Sequence, residues 1–540
     1  MKELSFGVCG ALIGMFIIGT APAQTTGGLL SVPAEKLMVG PGGVDIRTGR
    51  YNYGETDVSI GDAEGGLSFK RTLPTNVPQL TNLPFGNFSN NWNITLQIIP
   101  INLFTRAQSG GYPPGDDYMA FVNFGAGTTT FTATASSTAY ALESRGVYEY
   151  LNFTGTQGTP GVVYTFTAND GTIVTFRPLG VVDGLSVSGI YATQIVRPDG
   201  LTFTLDYTSY VGGTGNLARL RSVTSSRGYA LLMEGSGALI TKVCALNLTS
   251  AILPSNHACP SNAPGTATYT YSGVNLASVT DAGGATSQFI YGTSGSYASM
   301  AFVKPGQSSP WLTNLTMPLP DGTGGNYDAV MSQSFADGQS YTYTYRLPPP
   351  LSNTTTVAGG QYTNALGATV TVGFGFPLMP RPTGNQCPHL PCPPRTIDNS
   401  GLLYQQTSGP TAITDSLSRT TKMNYCDPGV TTGCIVSELQ YVIDPAGIKT
   451  VPTYDDWHNV IQVRQIAITG SGLPDIVTSA TYDCTYRKNC AKPVTKTDAN
   501  GNVTTYSYDA THGGILTETA PADVNGVQRV KRYAYVQRYA

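Results

Sequence analysis

The sequence predicts an all-β protein, built as a long antiparallel meander of hairpins. Only 12% of the 540 residues are charged, and 32 tyrosines dominate an aromatic content of 10%. The 63 glycines and 36 prolines follow no three-residue period, which excludes collagen. Abundant Thr, Tyr and Val favour strands, so helical bundles, coiled coils and disordered polyelectrolytes are excluded. A net charge of −3 provides no long-range attraction for nucleic acid, and we expect no nucleic-acid partner.

The first 23 residues are predicted to be a cleavable signal peptide. The apolar run 6–19 is too short to cross a bilayer core of roughly 30 Å, and Ala21-Pro22-Ala23 supplies the small residues of a cleavage site. A buried N-terminal helix is the alternative. No later stretch is long and apolar enough to predict a transmembrane segment. We therefore expect an exported chain that is secreted, periplasmic or associated with the cell surface.

Outside the signal peptide the chain has eight cysteines, which fall into four close pairs. The predicted pairs are Cys244 with Cys259, Cys387 with Cys392, Cys426 with Cys434, and Cys484 with Cys490. Short-range pairs of this kind are typical of disulfides formed in an oxidising compartment. His389 would allow a metal clip between Cys387 and Cys392, but the surrounding prolines favour a disulfide loop. We predict neither a metal site nor a cofactor.

One unit recurs in the second half of the chain: an Asp or Asn, a glycine three positions later and an aromatic residue ten positions later. The copies are Asp281, Gly284 and Tyr291; Asn364, Gly367 and Phe374; Asp444, Gly447 and Tyr454; and Asp498, Gly501 and Tyr508. A fifth copy, Asp415 with Tyr425, has Ser418 in place of the glycine. The carboxylate or amide oxygen accepts a backbone hydrogen bond and the glycine supplies a positive φ, so each copy predicts a turn. Positions six, eight and ten then share one face of the following strand.

The dipeptide Asp-Gly predicts tight hairpins at 170–171, 199–200 and 337–338. The last of them leads into Tyr341, Tyr343 and Tyr345, which alternate with threonines and therefore share a strand face. The recurrence of tyrosine after turns favours a structural role in the core of the sheet. The alternative is that these three tyrosines, or Tyr506 and Tyr508, are exposed and stack on sugar rings.

The repeated unit resembles the YD, or RHS, repeat of bacterial RHS proteins, Tc-toxin shell subunits and teneurins. The stretch Gly-Gly-Val-Asp-Ile-Arg-Thr-Gly-Arg at 42–50 is similar to the module that opens such arrays, as is Gly-Leu-x-Phe-x-Arg-Thr at 66–72. Phe85, Gly86 and Trp92 are similar to the signal before the family's first repeats, here interrupted by an insertion at 87–91. The resemblance covers 40–100 and, more loosely, 160–540. The family's self-cleaving core and C-terminal effector have no counterpart that the sequence reveals.

The resemblance implies four segments and a scaffold function. They are a signal peptide at 1–23, an opening module at 24–100, a β-rich region with Asp-Gly hairpins at 101–270, and a YD-type repeat sheet at 271–540 that ends within its array. The sheet is expected to coil into an open, incomplete shell or to form an elongated sheet. Its function would be that of a non-enzymatic exported scaffold, shell fragment or surface interaction module, with a separate polypeptide completing the shell.

Two other functions remain open at this point. One is a cell-wall or carbohydrate-binding protein that holds a surface polysaccharide through exposed tyrosines. The other is a secreted hydrolase on a β scaffold, which would need two carboxylates about 5–10 Å apart in a cleft. The sequence has four histidines but neither a His-Glu-x-x-His helix nor a Gly-x-Ser-x-Gly elbow. We therefore predict no catalytic residue and no enzymatic activity.

Overall fold

The structure is a computed structural model that describes most of the chain from Val39 to Tyr535. The described residues are 39–61, 66–73, 93–96, 102–107, 118–124, 127–133, 139–142, 149–157, 159–168, 171–197, 200–212, 215–261, 263, 265–320, 326–346, 359–374, 378–379, 396–397, 403–404, 410–425, 439–455, 459–486, 489–511 and 513–535. The predicted signal peptide, Phe85, Gly86 and Trp92, and the predicted pairs Cys387 with Cys392 and Cys426 with Cys434 lie outside the described residues.

The described residues form strands and turns, with no α-helix among them, which confirms the predicted all-β class. The strands are β1 (Tyr53–Ile60), β2 (Leu67–Leu73), β3 (Asn93–Leu96), β4 (Asn102–Ala107), β5 (Tyr118–Phe124), β6 (Gly127–Ala133), β7 (Ala139–Leu142), β8 (Tyr150–Thr154), β9 (Val163–Thr167), β10 (Ile173–Val182), β11 (Leu185–Val196), β12 (Thr202–Gly212), β13 (Gly215–Ser225), β14 (Tyr229–Ser236), β15 (Leu239–Asn247), β16 (Gly265–Ser272), β17 (Asn275–Thr280), β18 (Thr286–Ser294), β19 (Tyr297–Val303), β20 (Leu312–Pro320), β21 (Asn326–Phe335), β22 (Ser340–Arg346), β23 (Gly359–Asn364), β24 (Thr369–Gly373), β25 (Leu378–Met379), β26 (Thr396–Ile397), β27 (Leu403–Tyr404), β28 (Ala412–Thr414), β29 (Thr420–Tyr425), β30 (Leu439–Ile443), β31 (Lys449–Tyr454), β32 (Val460–Ile466), β33 (Ile476–Tyr482), β34 (Pro493–Thr497), β35 (Val503–Tyr508), β36 (Ile515–Ala522) and β37 (Gln528–Arg532).

One long antiparallel sheet contains most of these strands. Each strand from β4 to β24 pairs with its neighbours in sequence, β24 then pairs with β28, and the same order continues to β37. β11 also pairs with β4 through Ile190 and Tyr191, so the sheet bends back on itself at its first strands. No described pairing joins β37 to β4, and the sheet as a whole is an open meander, as predicted. β1–β3 form a separate small sheet, as do β25–β27.

The main hydrophobic core lies on one face of the long sheet. We call this the core face; it carries positions six, eight and ten of each repeated unit, such as Phe289 of β18 and Val372 of β24. Residues of the segment 39–73, including Val44 and Ile46, belong to the same core. The N-terminal segment therefore packs across the core face of the sheet. A smaller apolar cluster around Leu232 and Leu246 lies on the opposite face of β14 and β15.

Candidate functional site

The repeated unit folds into a three-residue hairpin loop held by its Asp or Asn side chain. In the Asp498 copy, Oδ1 accepts hydrogen bonds from the backbone N–H groups of Asn500 (2.8 Å) and Asn502 (2.9 Å). Gly501 has φ +82°, and its N–H donates to the carbonyl of Asp498 at 3.0 Å. A loop of this length with a left-handed residue in last position is a common hairpin connection. The side chain satisfies loop amides that would otherwise need water.

The other copies repeat this geometry. The side chains of Asp281, Asn364 and Asp415 each accept two backbone hydrogen bonds within the loop, and Asp444 accepts one from Ile448. Gly284, Gly367 and Gly447 have φ between +80° and +87°. Ser418 takes the same left-handed conformation at φ +61°, so the Asp415 copy keeps the turn without glycine. Turn formation therefore depends on the backbone conformation, and the serine copy adopts it at a steric cost.

The Asp-Gly dipeptide at 337–338 lies in this same three-residue loop, and Asp170 and Asp199 of the other two dipeptides lie outside the described residues. Gly338 donates its N–H to the carbonyl of Phe335, and Phe335 pairs with Gln339, so three residues separate the paired positions. Gly200 stands likewise three residues after Arg197, to whose carbonyl it donates. Asp337 and Gly338 therefore occupy the second and third positions of the loop. The glycine, and not the preceding Asp, sets the register.

A sixth copy of the unit, at the end of the described chain, was not identified from the sequence. Asp523 accepts backbone hydrogen bonds from Asn525 and Val527 at 2.9 Å each, Gly526 has φ +77°, and Tyr533 follows at position ten. All three residues match the pattern at the predicted spacing, so a stricter scan of the last 30 residues or so would have found them.

The tyrosine at position ten ties the far end of its hairpin. Tyr508 Oη donates to the carbonyl oxygen of Pro493 at 2.8 Å, and Tyr454 Oη donates to that of Leu439 at 3.0 Å. Tyr207 and Tyr345, counted from the loops at Arg197 and Phe335, donate to Ala192 and Val330. In these four hairpins the acceptor lies 15 residues before the tyrosine. We call this contact the tyrosine lock.

Phe374, Tyr291 and Tyr425 occupy the remaining predicted aromatic positions, on the same face of the sheet. Phe374 is buried at 7% exposure and has no hydroxyl group to donate. Tyr291 packs against the core, and the hydroxyl of Tyr425 approaches the sulfur of Met423 at 3.9 Å. Burial raises the pKa of Tyr425 to about 12. These side chains contribute apolar packing on the core face.

Hydrogen bonds within two of the turns stabilise the ionised carboxylates of Asp498 and Asp415. Hydrogen bonds from the Asn502 side chain and backbone hold the pKa of Asp498 below its ordinary value, because they stabilise the ionised carboxylate. The Arg419 side chain does the same for the pKa of Asp415, with its guanidinium 2.7 Å from Oδ2. Both carboxylates are exposed at the edge of the sheet, so their contribution is local to each turn.

Tyr341, Tyr343 and Tyr345, the alternative candidates for sugar stacking, lie in or against the core. Tyr343 is 3% exposed, and Tyr341 and Tyr345 are only partly exposed and pack against the core cluster. The reason is the N-terminal segment: a Cβ added at Gly42 would lie 2.7 Å from the Tyr343 hydroxyl. Gly49 approaches Tyr345 and Ala329 as closely. The sequence did not indicate which segment covers this face.

A buried ion pair fastens the N-terminal hairpin of β1 and β2 to the long sheet. Arg71, which has no exposed side-chain surface, donates from Nε to Asp57 Oδ2 at 2.7 Å and from Nη2 to Asp57 Oδ1 at 3.0 Å. Glu55 accepts a further bond from Nη2 at 3.0 Å. Tyr269 of β16 donates to Asp57 Oδ2 at 3.0 Å, and the guanidinium lies 5.2 Å from the centroid of the Phe289 ring. Burial raises the pKa of Asp57, while its bonds to Arg71 and Tyr269 lower it.

Two further contacts extend this attachment along the segment. Gln333 Nε2 donates to the carbonyl oxygen of Gly42 at 3.1 Å, and the N–H of Val330 donates to that of Gly49 at 2.7 Å. The partners are about 280 to 290 residues apart in sequence. The segment 39–73 therefore bridges β16, β18 and β21, which are distant strands of one sheet.

Two of the predicted cysteine pairs are joined in the structure. Cys244 of β15 bonds to Cys259 in the following loop, with Cα atoms 5.8 Å apart, and Cys484 bonds to Cys490 in the loop between β33 and β34. The first disulfide lies in the small apolar cluster beneath the loop 248–261. It holds that loop over β14 and β15.

Ser222, His257 and Asp206 lie together but not as a catalytic triad. Ser222 Oγ and Asp206 Oδ2 both approach the same ring nitrogen, His257 Nδ1, at 2.7 and 3.3 Å. A triad needs the nucleophile and the carboxylate on different ring nitrogens. Ser222 is also 1% exposed.

Among the described residues no group of His, Cys, Asp and Glu has the geometry of a metal site, and no helix there is long and apolar enough to span a membrane.

Comparison with known proteins gives similarity to solved structures only. No family model and no curated protein matches the sequence. A chain in the structure of the Photorhabdus luminescens Tc holotoxin pore is 10% identical, with a TM-score of 0.35 over 86% of this chain and 24% of that one. The crystal structure of TcdB2-TccC3-TEV gives 9% identity, a TM-score of 0.35 and coverages of 89% and 25%. TcdB2-TccC3 without its hypervariable C-terminal region gives 11%, 0.26, 87% and 22%. The chain spans about a quarter of the solved chains it matches.

Proposed function

We propose that the protein is a non-enzymatic, exported scaffold of the RHS/YD-repeat type, acting as a wall of a shell that a separate polypeptide completes. The supporting observation is the repeated hairpin itself: the same loop closes one end of successive hairpins, and the tyrosine lock closes the other end in four of them. Such a unit specifies sheet extension without creating a pocket. The side chains that the repeat specifies form the hydrogen bonds of the turns, the tyrosine locks and the packing of the core face.

The N-terminal segment adds a second argument for a scaffold. Residues 39–61 and 66–73 cover the core face from β16 to β23, through the bond from Tyr269 to Asp57 and the contact of Gln333 with Gly42. Further along, the core-face positions of β35 are only half-buried by the described residues. A partner polypeptide has access to the core face there, and not where the N-terminal segment already lies.

Two adjacent residues of β35 allow a matched crosslinking test. Thr504 lies on the core face, and Thr505 lies on the opposite, exposed face. A photo-crosslinking amino acid is introduced at each position in the full chain, in cells that produce and export it. If the core face of the sheet supports another polypeptide, position 504 should give a defined crosslinked polypeptide and position 505 should give none.

Other outcomes discriminate the alternatives. A crosslinked species from position 505 alone identifies a surface interaction module whose partner binds the opposite face. No crosslinked polypeptide from either position, in a chain whose export is verified by fractionation, overturns the shell proposal. Retention of the chain in the cytoplasm overturns the proposed export.

A further inference from the structure

The core face of the last described strands carries an aromatic and cationic surface that the repeat pattern alone does not require. Tyr506 and Tyr508 have ring centroids 6.5 Å apart and ring planes 21° from parallel. The ammonium group of Lys496 lies 5.5 Å from the centroid of the Tyr506 ring. Lys531 lies on β37, opposite Glu518 of β36, on the same face. We call Lys496, Tyr506, Glu518, Lys531 and Tyr533 the tyrosine–lysine face.

This surface is accessible and its framework is rigid. Lys496, Tyr506 and Glu518 are half-buried and Lys531 and Tyr533 are exposed, whereas Tyr343, at the equivalent position of an earlier hairpin, is covered by the N-terminal segment. The Tyr508 lock and the buried Lys492, whose ammonium donates to the carbonyl of Gly513, fix the neighbouring strands. A ligand therefore meets preorganised side chains, which lowers the entropy cost of binding.

The charge balance selects an anionic ligand. Lys496, Lys531 and Arg529, which is two residues from Lys531 on β37, outnumber the single carboxylate of this face, that of Glu518, which already accepts a hydrogen bond from the Lys531 ammonium group at 3.1 Å. β34, β35 and β36 are each paired on both sides, so a partner cannot add as a strand between them and must bind through side chains. Aromatic rings pack on the apolar faces of sugar rings, and ammonium groups pair with carboxylates.

We propose that the tyrosine–lysine face binds an acidic polysaccharide, with sugar rings against Tyr506 and Tyr533 and uronate carboxylates on Lys496 and Lys531. The net charge of −3 of the whole chain opposes binding of a polyphosphate, which favours the more sparsely charged polyuronate. The inference names a partner for the surface of the proposed exported scaffold. The polysaccharide would occupy the same core face of β35 that the shell proposal leaves open to a polypeptide, so the two ligands would compete for it. Alginate binding is measured on the isolated chain and crosslinking in cells, so failure of one proposal is distinguishable from failure of the other.

The test measures binding of the full chain to alginate by isothermal titration, with dextran as a neutral polysaccharide. Tyr506→Leu and Lys496→Gln are each expected to weaken alginate binding about three- to tenfold, while Tyr506→Phe retains it. The matched controls are Tyr441→Leu and Lys449→Gln, because this pair has the same chemistry on the opposite face, with the ammonium 4.2 Å from the ring centroid. These controls are expected to bind as the unsubstituted chain does.

Four results would overturn the proposal. They are no alginate binding at millimolar sugar, equal binding of dextran, equal loss in the Tyr441 and Lys449 variants, and tighter binding of oligo-dT or poly-glutamate than of alginate. The last result would assign the face to a nucleic acid or an acidic protein instead. Circular dichroism of each variant verifies that the sheet is retained.

Discussion

The hydroxyl group of Tyr508 donates a hydrogen bond of 2.8 Å to the carbonyl oxygen of Pro493, the first residue of the preceding strand. Tyr508 is the last residue of its own strand, so this bond closes the hairpin at the end opposite its Asp498 loop. Tyr454 makes the equivalent bond to Leu439 in the Asp444 copy. The preference for tyrosine over phenylalanine at position ten therefore has a specific physical reason in these copies.

Tyr508→Phe is expected to lower the free energy of unfolding by about 0.5–1.5 kcal/mol, because it removes one hydrogen bond and keeps the ring. Urea denaturation of the chain measures the change in the free energy of unfolding. Tyr506→Phe is the control, since it removes a hydroxyl two residues earlier that does not form the lock. Equal losses in both variants would show that the lock has no special role.

Ser418 and Gly501 occupy the same loop position in two copies, with φ +61° and +82°. Ser418→Gly is expected to stabilise the Asp415 hairpin by about 0.5–1 kcal/mol, because a left-handed backbone costs a residue with a Cβ more than glycine. Gly501→Ser is expected to destabilise the Asp498 hairpin by a similar amount. A Cβ at Gly501 would meet nothing within 4 Å, so the change isolates backbone strain.

Hydrogen exchange of the hairpin amides measures both changes site by site. The two substitutions must act in opposite directions. If Ser418→Gly lowers protection in the Asp415 hairpin, the serine hydroxyl has a favourable contact that outweighs the backbone strain.

The local units were predictable from the sequence because their determinants lie within eleven residues of one another. Asp498, Gly501 and Tyr508 specify loop, register and strand face by short-range hydrogen bonds and by alternation. Asp-Gly predicted the hairpin at Gly338 but not the length of its loop, because the dipeptide occurs in loops of two and of three residues and only the pairing partner distinguishes them.

The packing between distant segments was not predictable in the same way. The burial of Tyr343 depends on Gly42, about 300 residues earlier, and no pattern near Tyr343 indicates that contact. Arg71 was noted only as part of the motif at 66–72, and nothing in the sequence paired it with Asp57. Their burial follows from the docking of β1 and β2 on β16, which depends on the shape of the assembled sheet.

Acid is expected to loosen the Asp498 loop before the Asn364 loop. The pKa of Asp498 is lowered in the folded chain, so its turn contributes stability above the ordinary aspartate pKa and loses it as the pH falls through the folded value. Asn364 holds an identical loop through an amide that does not titrate. Between about pH 5 and pH 2 the amide of Asn502 should lose protection while that of Ala368 keeps it.

Amide exchange corrected for its intrinsic pH dependence measures this difference. The comparison is matched because the Asn502 amide donates to Asp498 Oδ1 and the Ala368 amide to Asn364 Oδ1, each at 2.9 Å. Asp498→Asn provides the matched variant, in which the Asn502 amide should no longer respond to acid. Parallel loss of protection at Asn502 and Ala368 would mean that acid opens the sheet globally and not at individual loops.

Arg71→Met is expected to destabilise the attachment of the N-terminal hairpin by about 3–5 kcal/mol, because it leaves the Asp57 carboxylate buried without its cation. The double variant Arg71→Met with Asp57→Asn removes the charge imbalance and keeps an acceptor for Tyr269, so it should recover a large part of the loss. Exchange of the Ala282 amide, which donates to the Asp57 carbonyl at 3.0 Å, reports detachment directly. If the double variant is as unstable as the single one, the bidentate geometry of the guanidinium, and not charge compensation, holds the N-terminal segment on the sheet.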